Sequence, residues 1–391
     1  MPIINRIAAF RDDMTAWRRD IHAHPELAYE ERRTADLVAA RLESFGIEVH
    51  RGLAETGVVG TLRGRGAGTG AIGLRADMDA LPMAEANSFD HASRHPGKMH
   101  ACGHDGHTAM LLGAARYLAE TRAFDGTVHF IFQPAEEGSA GALRMIEEGL
   151  FERFPCDRVY GLHNWPELPA GVIAVHPGPV MAAADKFTIT VEGHGAHAAM
   201  PHRGVDPVLV GAHIITAVQS LVSRGTDPMD RAVVSVTWVE AGTTFNVIPA
   251  EARLNGTIRT LRPETRARIH EQLTRLAVAV ADGFGAVATV DIQPGYPPTV
   301  NSRTEAEEAA AIAARVVGDA NVIWNPDPTM GAEDFGYMLR ERPGCYIWLG
   351  HGGDGPGCRL HNPRYDFNDE ILSIGASYWA TLVETVLPRR D

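Results

Sequence analysis

The stretch from His100 to His107 gathers more metal-ligating side chains than a turn needs for its own structure. It reads His-Ala-Cys-Gly-His-Asp-Gly-His, which places three histidines, a thiol and a carboxylate within eight residues. Cys102 and His104 are two residues apart, and Gly103 leaves the backbone between them free to bend, so both side chains can converge on one cation. The alternative is a helix-entry loop in which Asp105 is the N-cap and the histidines are solvated. The density of ligands favours the nucleus of a metal site.

Further residues of ligand type follow later in the chain, at Glu137, His163 and His361. With Cys102 and His104 they form a mixed set of thiolate, imidazole and carboxylate donors, which suits borderline divalent ions such as Zn²⁺, Mn²⁺, Co²⁺ or Ni²⁺. An open catalytic centre usually takes three protein ligands and a water. Five donors therefore indicate two cations that share a ligand, an arrangement that polarises a carbonyl and makes hydroxide available at neutral pH.

A hydrolase of this kind also needs a base that is not itself a ligand. Glu136 and Glu137 are adjacent, and consecutive side chains diverge in direction, so one can bind a cation while the other faces a water. We assign Glu137 as the ligand and Glu136 as the general base that later protonates the leaving amine. An isolated pair of glutamates is more often a solvated turn, but this pair follows a predicted buried strand and Pro134.

Three side chains near this set have roles that the residues alone leave open. Asp77 and Asp79 could be a ligand and a carboxylate that orients a histidine, or they could be carboxylates that cap the turn before Pro82. Cys102 could instead be a nucleophile with His107 as its base, and that chemistry would not depend on a metal.

Predicted strands of an α/β fold deliver these groups. The strands at 71–75, 127–132 and 158–162 are followed by an aspartate, a glutamate pair and a histidine. In open α/β sheets, ligands bind at the carboxyl ends of the strands. Another strand is predicted at 58–62, and the glycines at 64, 66, 68 and 70 predict a hairpin turn between it and the strand at 71–75.

The pattern of predicted elements changes between residues 185 and 295. Strands with alternating apolar residues and two helices there indicate helices packed on a small antiparallel sheet. We predict a discontinuous catalytic domain, 1–184 and 296–391, with 185–295 as an inserted domain. The elements predicted in the insert are strands at 186–191, 232–239, 252–259 and 287–292 and helices at 206–223 and 264–281.

The length and composition of the whole chain limit the classes of protein to which it can belong. Its 391 residues exceed the size at which single cores stop growing, so two domains are expected. A net charge of -13, from 36 basic and 49 acidic residues, leaves no basic patch for nucleic acid. No stretch of about 18 apolar residues and no apolar signal region occurs, and the four cysteines lack CxxC spacing. We therefore expect a cytoplasmic protein without a membrane partner.

The ordered motifs of the chain resemble those of the M20 family of metallo-aminoacylases and carboxypeptidases. Within that family the resemblance is to the amidohydrolase branch, which includes hippurate hydrolase, N-acyl-L-amino acid amidohydrolases and plant auxin-conjugate hydrolases. It covers essentially the whole chain, through segments 22–26, 75–82, 99–107, 133–138, 193–197, 246–249, 256–260, 331–335 and 360–362.

The resemblance implies a metallo-aminopeptidase-like catalytic domain with a dinuclear site, and an inserted domain used for dimerisation or as a lid. Other branches have a histidine ligand where this chain has Asp77, which shifts metal binding onto the segment around Cys102. The resemblance implies that Glu136 is the base and that the ligands are Cys102, His104, Glu137, His163 and His361.

The resemblance also implies roles for residues outside the metal set. His197 would reach the active site of a partner subunit and stabilise the oxyanion, Asn246 and Arg259 would face the substrate carboxylate, and Gly331 would supply backbone contacts. From the residues alone, His197 fits a flexible glycine-flanked turn equally well, and Arg259 could be a surface cation on a strand.

We predict a metal-dependent amidohydrolase that cleaves an N-acyl or N-aroyl amino acid into a carboxylic acid and a free amino acid. It would act as a homodimer or higher oligomer with two divalent ions per subunit. The rivals are a deacetylase of N-acetyl-diaminopimelate or N-acetylcysteine, a small dipeptidase, and a non-catalytic binding protein for a metal or small ligand. Glu136 argues against the last, because binding alone needs no base.

Overall fold

The computed structural model describes residues 3–353 and 359–389. The contacts divide the chain into two compact units. Unit 1 comprises Met1–Gly178, Val300–Asp327 and Tyr337–Asp391, and unit 2 comprises Pro179–Thr299 and Pro328–Gly336. The predicted α/β class with an inserted α+β segment is confirmed.

The elements are numbered here in chain order. The helices are α1 (Asn5–Ala8), α2 (Arg11–Ala23), α3 (Arg32–Ser44), α4 (His104–Thr121), α5 (Glu136–Ser139), α6 (Gly141–Glu147), α7 (Leu150–Arg153), α8 (Pro207–Val218), α9 (Ser220–Ser223), α10 (Pro263–Gly283), α11 (Arg303–Val317), α12 (Phe335–Glu341) and α13 (Leu372–Val386), with 3-10 turns at Pro201–Arg203, Asp319–Asn321 and Asp369–Ile371. The strands are β1 (Glu48–Leu53), β2 (Gly57–Arg63), β3 (Gly66–Asp77), β4 (Asp125–Gln133), β5 (Arg158–Trp165), β6 (Ile173–Val175), β7 (Pro179–Met181), β8 (Ala183–Glu192), β9 (Ala196–His197), β10 (Ala232–Ala241), β11 (Val247–Ile248), β12 (Glu251–Thr260), β13 (Val287–Gln293), β14 (Thr299–Val300), β15 (Val322–Trp324) and β16 (Gly344–Gly350).

Unit 1 is built on a mixed sheet whose strand order, within the described residues, is β1-β2-β4-β3-β5-β16-β6-β15. The strands β4, β3, β5 and β16 are parallel neighbours. Phe130, Ile131 and Phe132 of β4 are all buried, and because consecutive side chains point to opposite faces, the strand is covered on both. Because β3, β4 and β5 run in one direction, their carboxyl ends, where Asp77 and His163 lie, meet at the same edge of the sheet.

The predicted hairpin between β2 and β3 is wrong, because β4 lies between these two strands in the sheet. β2 pairs with β4 in antiparallel orientation and β3 pairs with β4 in parallel orientation. The glycine-rich residues 66–70 belong to β3 itself, and the register of pairing shifts between Gly66 and Ala71. An apolar strand that is buried on both faces takes a central position in the sheet, and here it separates two strands that are consecutive in the chain.

The remaining differences concern element boundaries. The apolar periodicity at the N-terminus predicts one helix, but the structure has α1 and α2 with a break at Ala9 and Phe10. The sequence at 332–340 predicts a short helix, and in the structure this helix begins only at Phe335. The glycine-rich loop at 350–357 and Cys358 lie partly or wholly outside the described residues.

Unit 2 contains an antiparallel sheet, ordered β10-β12-β8-β13 among the described residues, with α8 and α10 packed against it. α8 begins after Asp206, whose carboxylate accepts hydrogen bonds from the backbone N–H groups of Val208 and Leu209. α10 buries one apolar stripe at four-residue spacing, formed by Ile269, Leu273, Ala277 and Ala281.

Residues 328–336 group with unit 2, whereas the sequence prediction placed them in the catalytic domain. The reason is backbone hydrogen bonding. The Ala182 N–H donates to the Gly331 carbonyl at 2.8 Å, and the Thr329 N–H donates to the Val180 carbonyl at 3.0 Å. The predicted insert, 185–295, lies within the longer segment of unit 2. No helix of the described part of the chain is long and apolar enough to cross a membrane.

A buried carboxylate ties unit 2 together. Asp185, at the beginning of β8, accepts hydrogen bonds from two guanidinium nitrogens of Arg266, from His270 Nε2 at 2.7 Å and from the Gly295 N–H at 3.0 Å. Burial alone would raise the pKa of Asp185, but Arg266 and the Gly295 N–H outweigh burial and lower it below its usual value. The ionised form of the Asp185 carboxylate is therefore the form that stabilises unit 2.

We expect Asp185→Asn to lower the free energy of unfolding by about 3 kcal/mol at pH 7, because it leaves the Arg266 charge without its partner. A carboxyl group with a lowered folded-state pKa contributes fully above its unfolded pKa of about 3.9, and the contribution is lost as the pH falls through the folded pKa. Urea unfolding should be measured at pH 7 and below pH 4. On acidification the variant should lose less of its free energy of unfolding than the parent. Asp291→Asn, at an exposed site on β13, is the control and should change stability by less than about 0.5 kcal/mol. Equal stability of Asp185→Asn and the parent would contradict this account.

Candidate active site

The bend at Gly103 brings Cys102 and His104 to the same side of the chain. Gly103 is the N-cap of α4 and has φ +96°, a left-handed conformation that glycine adopts without strain. A Cβ atom there would overlap the side-chain amide of Asn164 and the hydroxyl of Tyr365. Glycine is therefore required both by the backbone conformation and by the packing.

The alternative in which Asp105 caps α4 is wrong. Asp105 makes no capping hydrogen bond to the helix and is completely buried. Its Oδ2 accepts a hydrogen bond from His22 Nδ1 at 2.8 Å and lies 3.7 Å from the Arg18 guanidinium. Asp105 therefore anchors the first turn of α4 to α2. His100, the remaining histidine of the cluster, is buried and belongs to none of the groups of described residues that could hold a metal ion.

Two histidines present a lone pair to the site. His104 Nδ1–H donates to the Asp79 carbonyl at 2.8 Å, and His163 Nδ1–H donates to the Asn164 carbonyl at 2.7 Å. In the neutral form of each ring Nε2 is then the nitrogen with the free lone pair, as a metal ligand requires. His104 Nε2 is buried without a hydrogen-bond partner in the described part of the chain, and His163 Nε2 lies 3.4 Å from Cys102 Sγ.

The predicted ligands form two groups that meet at one sulfur. Cys102, His104 and His163 have ligand atoms within 4.8 Å of one another, and so do Cys102, Glu137 and His361. Glu137 Oε1 lies 3.2 Å from His361 Nε2 and makes no hydrogen bond among the described residues. Five donors that the chain brings together from four separate segments thus form two triplets with Cys102 in common. This donor set fits divalent cations.

Asp79 holds the turn that carries both glutamates. Its Oδ1 accepts a hydrogen bond from the Glu136 N–H at 3.0 Å, and its Oδ2 accepts one from the Glu137 N–H at 2.9 Å. The sequence prediction placed Asp79 in the catalytic set, as a ligand or as a carboxylate that orients a histidine; in the structure its carboxylate contacts the backbone of the glutamates and lies 3.3 Å from His104 Nδ1. It positions two functional side chains.

Asp77 is held on both of its oxygens by the protein. Oδ1 accepts a hydrogen bond from His107 Nδ1 at 2.6 Å, and Oδ2 accepts one from the Arg75 guanidinium at 2.7 Å. His107 Nε2 faces the Asn164 backbone N–H at 3.1 Å and the Asn164 side-chain oxygen at 2.8 Å. Both ring nitrogens of His107 are thus occupied, so the ring is not placed as the base of a Cys102 nucleophile.

The electrostatics of the site favour bound positive charge. Burial would lower the pKa of His104, but the carboxylates of Asp77 and Asp79 raise it to about 10. Burial and the neighbouring Glu137 and Glu136 carboxylates raise the pKa of the Cys102 thiol well above its usual value. Burial and the nearby His107 lower the pKa of His163, which keeps that ring neutral. A field that retains a proton on a histidine is one that would stabilise a divalent cation in its place.

The other predicted site residues belong to unit 2. His197 lies on β9 and pairs with Val247 of β11, directly after Asn246 in the chain, so His197 and Asn246 are neighbours. Arg259 lies on β12 and is half-buried, and this burial lowers the pKa of its guanidinium. The Gly331 carbonyl accepts a hydrogen bond from the Ala182 N–H.

The residues that support the ligands were harder to find from the sequence. Asn164 contacts His107 and also donates to the Tyr365 hydroxyl at 2.7 Å, while Arg75 fixes Asp77. Arg75 lies in a motif shared with the M20 family, and Asn164 follows a predicted ligand, so both carried a weak signal. Tyr365 carried none, because its burial depends on packing that the sequence does not reveal.

Comparisons with known proteins agree with this site. The model of peptidase family M20/M25/M40 matches residues 73–385. The chain is 40% identical over 382 residues to hippurate hydrolase of Campylobacter jejuni, with 98% of each chain covered. It is 40% identical to N-acetylcysteine deacetylase of Bacillus subtilis, with 97% of this chain and 98% of that one covered. A crystal structure of a dinuclear metal-binding peptidase of the M20 family from Bacillus subtilis matches with a TM-score of 0.86 and 37% identity, over 97% of this chain and 99% of that one.

We expect Gly103→Ala to abolish stoichiometric metal binding and to destabilise unit 1, because the new Cβ overlaps Asn164 and Tyr365 and the backbone stays left-handed. Metal analysis and thermal unfolding measure the two effects. Gly97→Ala is the matched control, because Gly97 has φ +79° with open space around it. That variant should cost only about 1 kcal/mol and should keep its metal. Normal metal content in Gly103→Ala would show that the bend does not set the ligand geometry.

Proposed function

The chain belongs to peptidase family M20/M25/M40 and is a metal-dependent hydrolase of amide bonds, and on that premise we propose that it cleaves N-acyl amino acids. The products are a carboxylic acid and a free amino acid. The observation that carries the proposal is the pair of ligand triplets that share Cys102, with the buried Glu136 directly before the ligand Glu137. A protein that only binds a metal has no use for this additional carboxylate.

The proposed cofactor is a pair of divalent ions in each subunit, drawn from Zn²⁺, Mn²⁺, Co²⁺ and Ni²⁺. Cys102, His104 and His163 would hold one ion, and Cys102, Glu137 and His361 would hold the other. Thiolate, imidazole and carboxylate together match this group of borderline ions. Bound here, the ions supply the positive charge that polarises the amide carbonyl and acidifies water.

Glu136 performs the proton transfers. Its carboxylate accepts the proton of the attacking water as the new C–O bond forms, and it then gives that proton to the amide nitrogen as the C–N bond breaks. Asp79 keeps this side chain in place through the backbone N–H groups of Glu136 and Glu137. The amino acid leaves as a neutral amine, and the acyl group leaves as a carboxylic acid.

Unit 2 supplies the groups proposed to recognise the amino-acid carboxylate and the developing oxyanion. Among the described residues, no carboxylate lies within ion-pair distance of the half-buried Arg259, which suits a guanidinium that pairs with a substrate carboxylate. Asn246 and the backbone of Gly331 would add hydrogen bonds. His197 is exposed, and we propose that it stabilises the oxyanion in the active site of a partner subunit.

Two acyl classes remain as alternatives within the same reaction. Similarity to hippurate hydrolase favours an aromatic acyl group, and equal identity to N-acetylcysteine deacetylase favours an acetyl group. A small dipeptidase is the third possibility. The reaction and the roles of Glu136 and Arg259 are the same in all three, so the distinction depends on the walls of the acyl pocket.

The partner that we propose for unit 2 is a second copy of the chain. β10 is an edge strand among the described residues, and its Trp238 and Val239 are 60% and 53% exposed. Phe245, in the turn that follows β10, is 97% exposed. An open strand edge with large apolar side chains is typical of an interface. Cytoplasmic location is also proposed, and the free thiols of Cys102, Cys156 and Cys345 fit a reducing compartment.

We expect Glu136→Gln to lower kcat by about 1,000-fold while metal content stays at about two ions per chain, because the amide keeps the shape but cannot take a proton. The assay uses hippurate, N-acetylcysteine, an indole-acyl amino acid and a dipeptide, before and after chelation. The rank order of the cleavage rates of these substrates identifies the acyl class. Glu152→Gln, an exposed glutamate on α7, is the control and should match the parent. Cleavage that survives both chelation and Glu136→Gln would overturn the proposed function.

We expect Trp238→Lys to convert a dimer into a monomer in sedimentation experiments and to lower activity, because the lysine places a charge in the proposed interface and removes His197 of the second copy from reach. Trp324→Lys, at an exposed tryptophan of β15 in unit 1, is the control and should stay dimeric. A parent protein that is fully active as a monomer would disprove the role of His197 across subunits.

A further inference from the structure

The backbone of the catalytic turn is held by carboxylates at three consecutive N–H groups. The Ala135 N–H donates to Glu31 Oε1 at 2.9 Å, and the next two N–H groups, of Glu136 and Glu137, donate to the two oxygens of Asp79. Ala135 has φ +58° and ψ +41°, a left-handed conformation that residues with a Cβ rarely adopt. Such a conformation persists only where the surroundings fix it.

Glu31 comes from a distant part of the chain, 104 residues before Ala135. Its side chain is completely buried, and its Oε2 accepts a hydrogen bond from the Thr56 hydroxyl at 2.6 Å. Burial raises the pKa of Glu31 to about 7, even though the hydrogen bonds from Thr56 and Ala135 oppose this shift. In either protonation state Oε1 can accept the Ala135 N–H.

The position of Glu31 at the start of α3 does not explain why its side chain is buried. Glu31 occupies the N-cap position of α3 but makes no capping hydrogen bond with its side chain. The first turn of α3 is capped by Glu26, whose carboxylate accepts hydrogen bonds from the Arg33 and Thr34 N–H groups at 2.9 and 2.8 Å. The Glu31 carboxylate is therefore directed toward the catalytic turn.

We propose that Glu31 is a positioning residue for the general base, and that its carboxylate holds Ala135 in the left-handed conformation that aims the Glu136 side chain. This inference rests on the proposed function, in which Glu136 is the base. Without the hydrogen bond, Ala135 can relax into an ordinary region of conformational space and move the backbone of Glu136. A displacement of about 1 Å at a catalytic group can cost about 100-fold in rate.

The test compares three substitutions at Glu31 by kcat, KM, metal content and amide hydrogen exchange. Glu31→Ala should lower kcat by about 100-fold, leave KM and metal content within about twofold, and accelerate exchange of the Ala135 and Glu136 amides. Glu31→Gln should keep kcat within about fivefold, because its amide oxygen still accepts the Ala135 N–H. Glu31→Asp keeps the charge but withdraws the oxygen, so its kcat should fall below that of Glu31→Gln.

Glu26→Ala is the matched control. It removes a carboxylate from the same segment and lowers the melting temperature through the lost cap of α3, but it should leave kcat and the exchange of the Ala135 and Glu136 amides unchanged.

The inference is overturned if Glu31→Ala is folded with normal kcat and normal exchange, or if Glu31→Asp is more active than Glu31→Gln, which would indicate a role for charge alone. If Glu31→Ala does not fold, the inference is decided by which of Glu31→Gln and Glu31→Asp has the higher kcat. If the parent cleaves none of the amides, the proposed function fails, and the exchange rates still show whether Glu31 holds the turn.

Discussion

The concentration of buried carboxylates at the carboxyl edge of the large sheet is the constraint on which the site depends. Asp77, Asp79 and Glu136 are all buried, and the Arg75 guanidinium forms an ion pair with Asp77 at 2.7 Å. Carboxylates gathered in one buried place repel one another and lose their hydration, and both effects cost free energy. The same field raises the pKa of His104. A cation bound at this edge would offset that cost, so we expect its binding to stabilise unit 1.

The ligands are presented by unusual backbone conformations on an ordinary α/β frame. Parallel strands bring the segments to one edge, but three local bends set the directions of the side chains. Gly103, Ala135 and His361 all have positive φ, and the last two carry a Cβ. Such residues cost about 1–3 kcal/mol each. The buried carboxylates of Asp79 and Glu31 accept hydrogen bonds from one of these bends, so residues outside the proposed metal set hold the backbone that carries the proposed base.

The sequence reveals the residue types that can bind a metal more readily than it reveals the residues that hold them in place. The ligand types around Cys102 and the buried apolar strand β4 are visible as local patterns, and so is the helix and strand content of unit 2. The position of β4 between β2 and β3 is not visible, because it depends on pairing between distant strands. The role of Asp79 was also hidden, since its partners are backbone N–H groups whose positions no residue type reveals. The same reason explains why the sequence prediction did not group residues 328–336 with unit 2.

The order of the strands has a consequence for synthesis on the ribosome. β5 ends at Trp165, but its parallel neighbour β16 begins only at Gly344. At about 5–20 residues per second, one edge of β5 stays without its partner for about 10–35 s while unit 2 is made. An apolar, unpaired edge in a nascent chain invites misassociation. The large sheet can therefore close only after the whole of unit 2 has been synthesised.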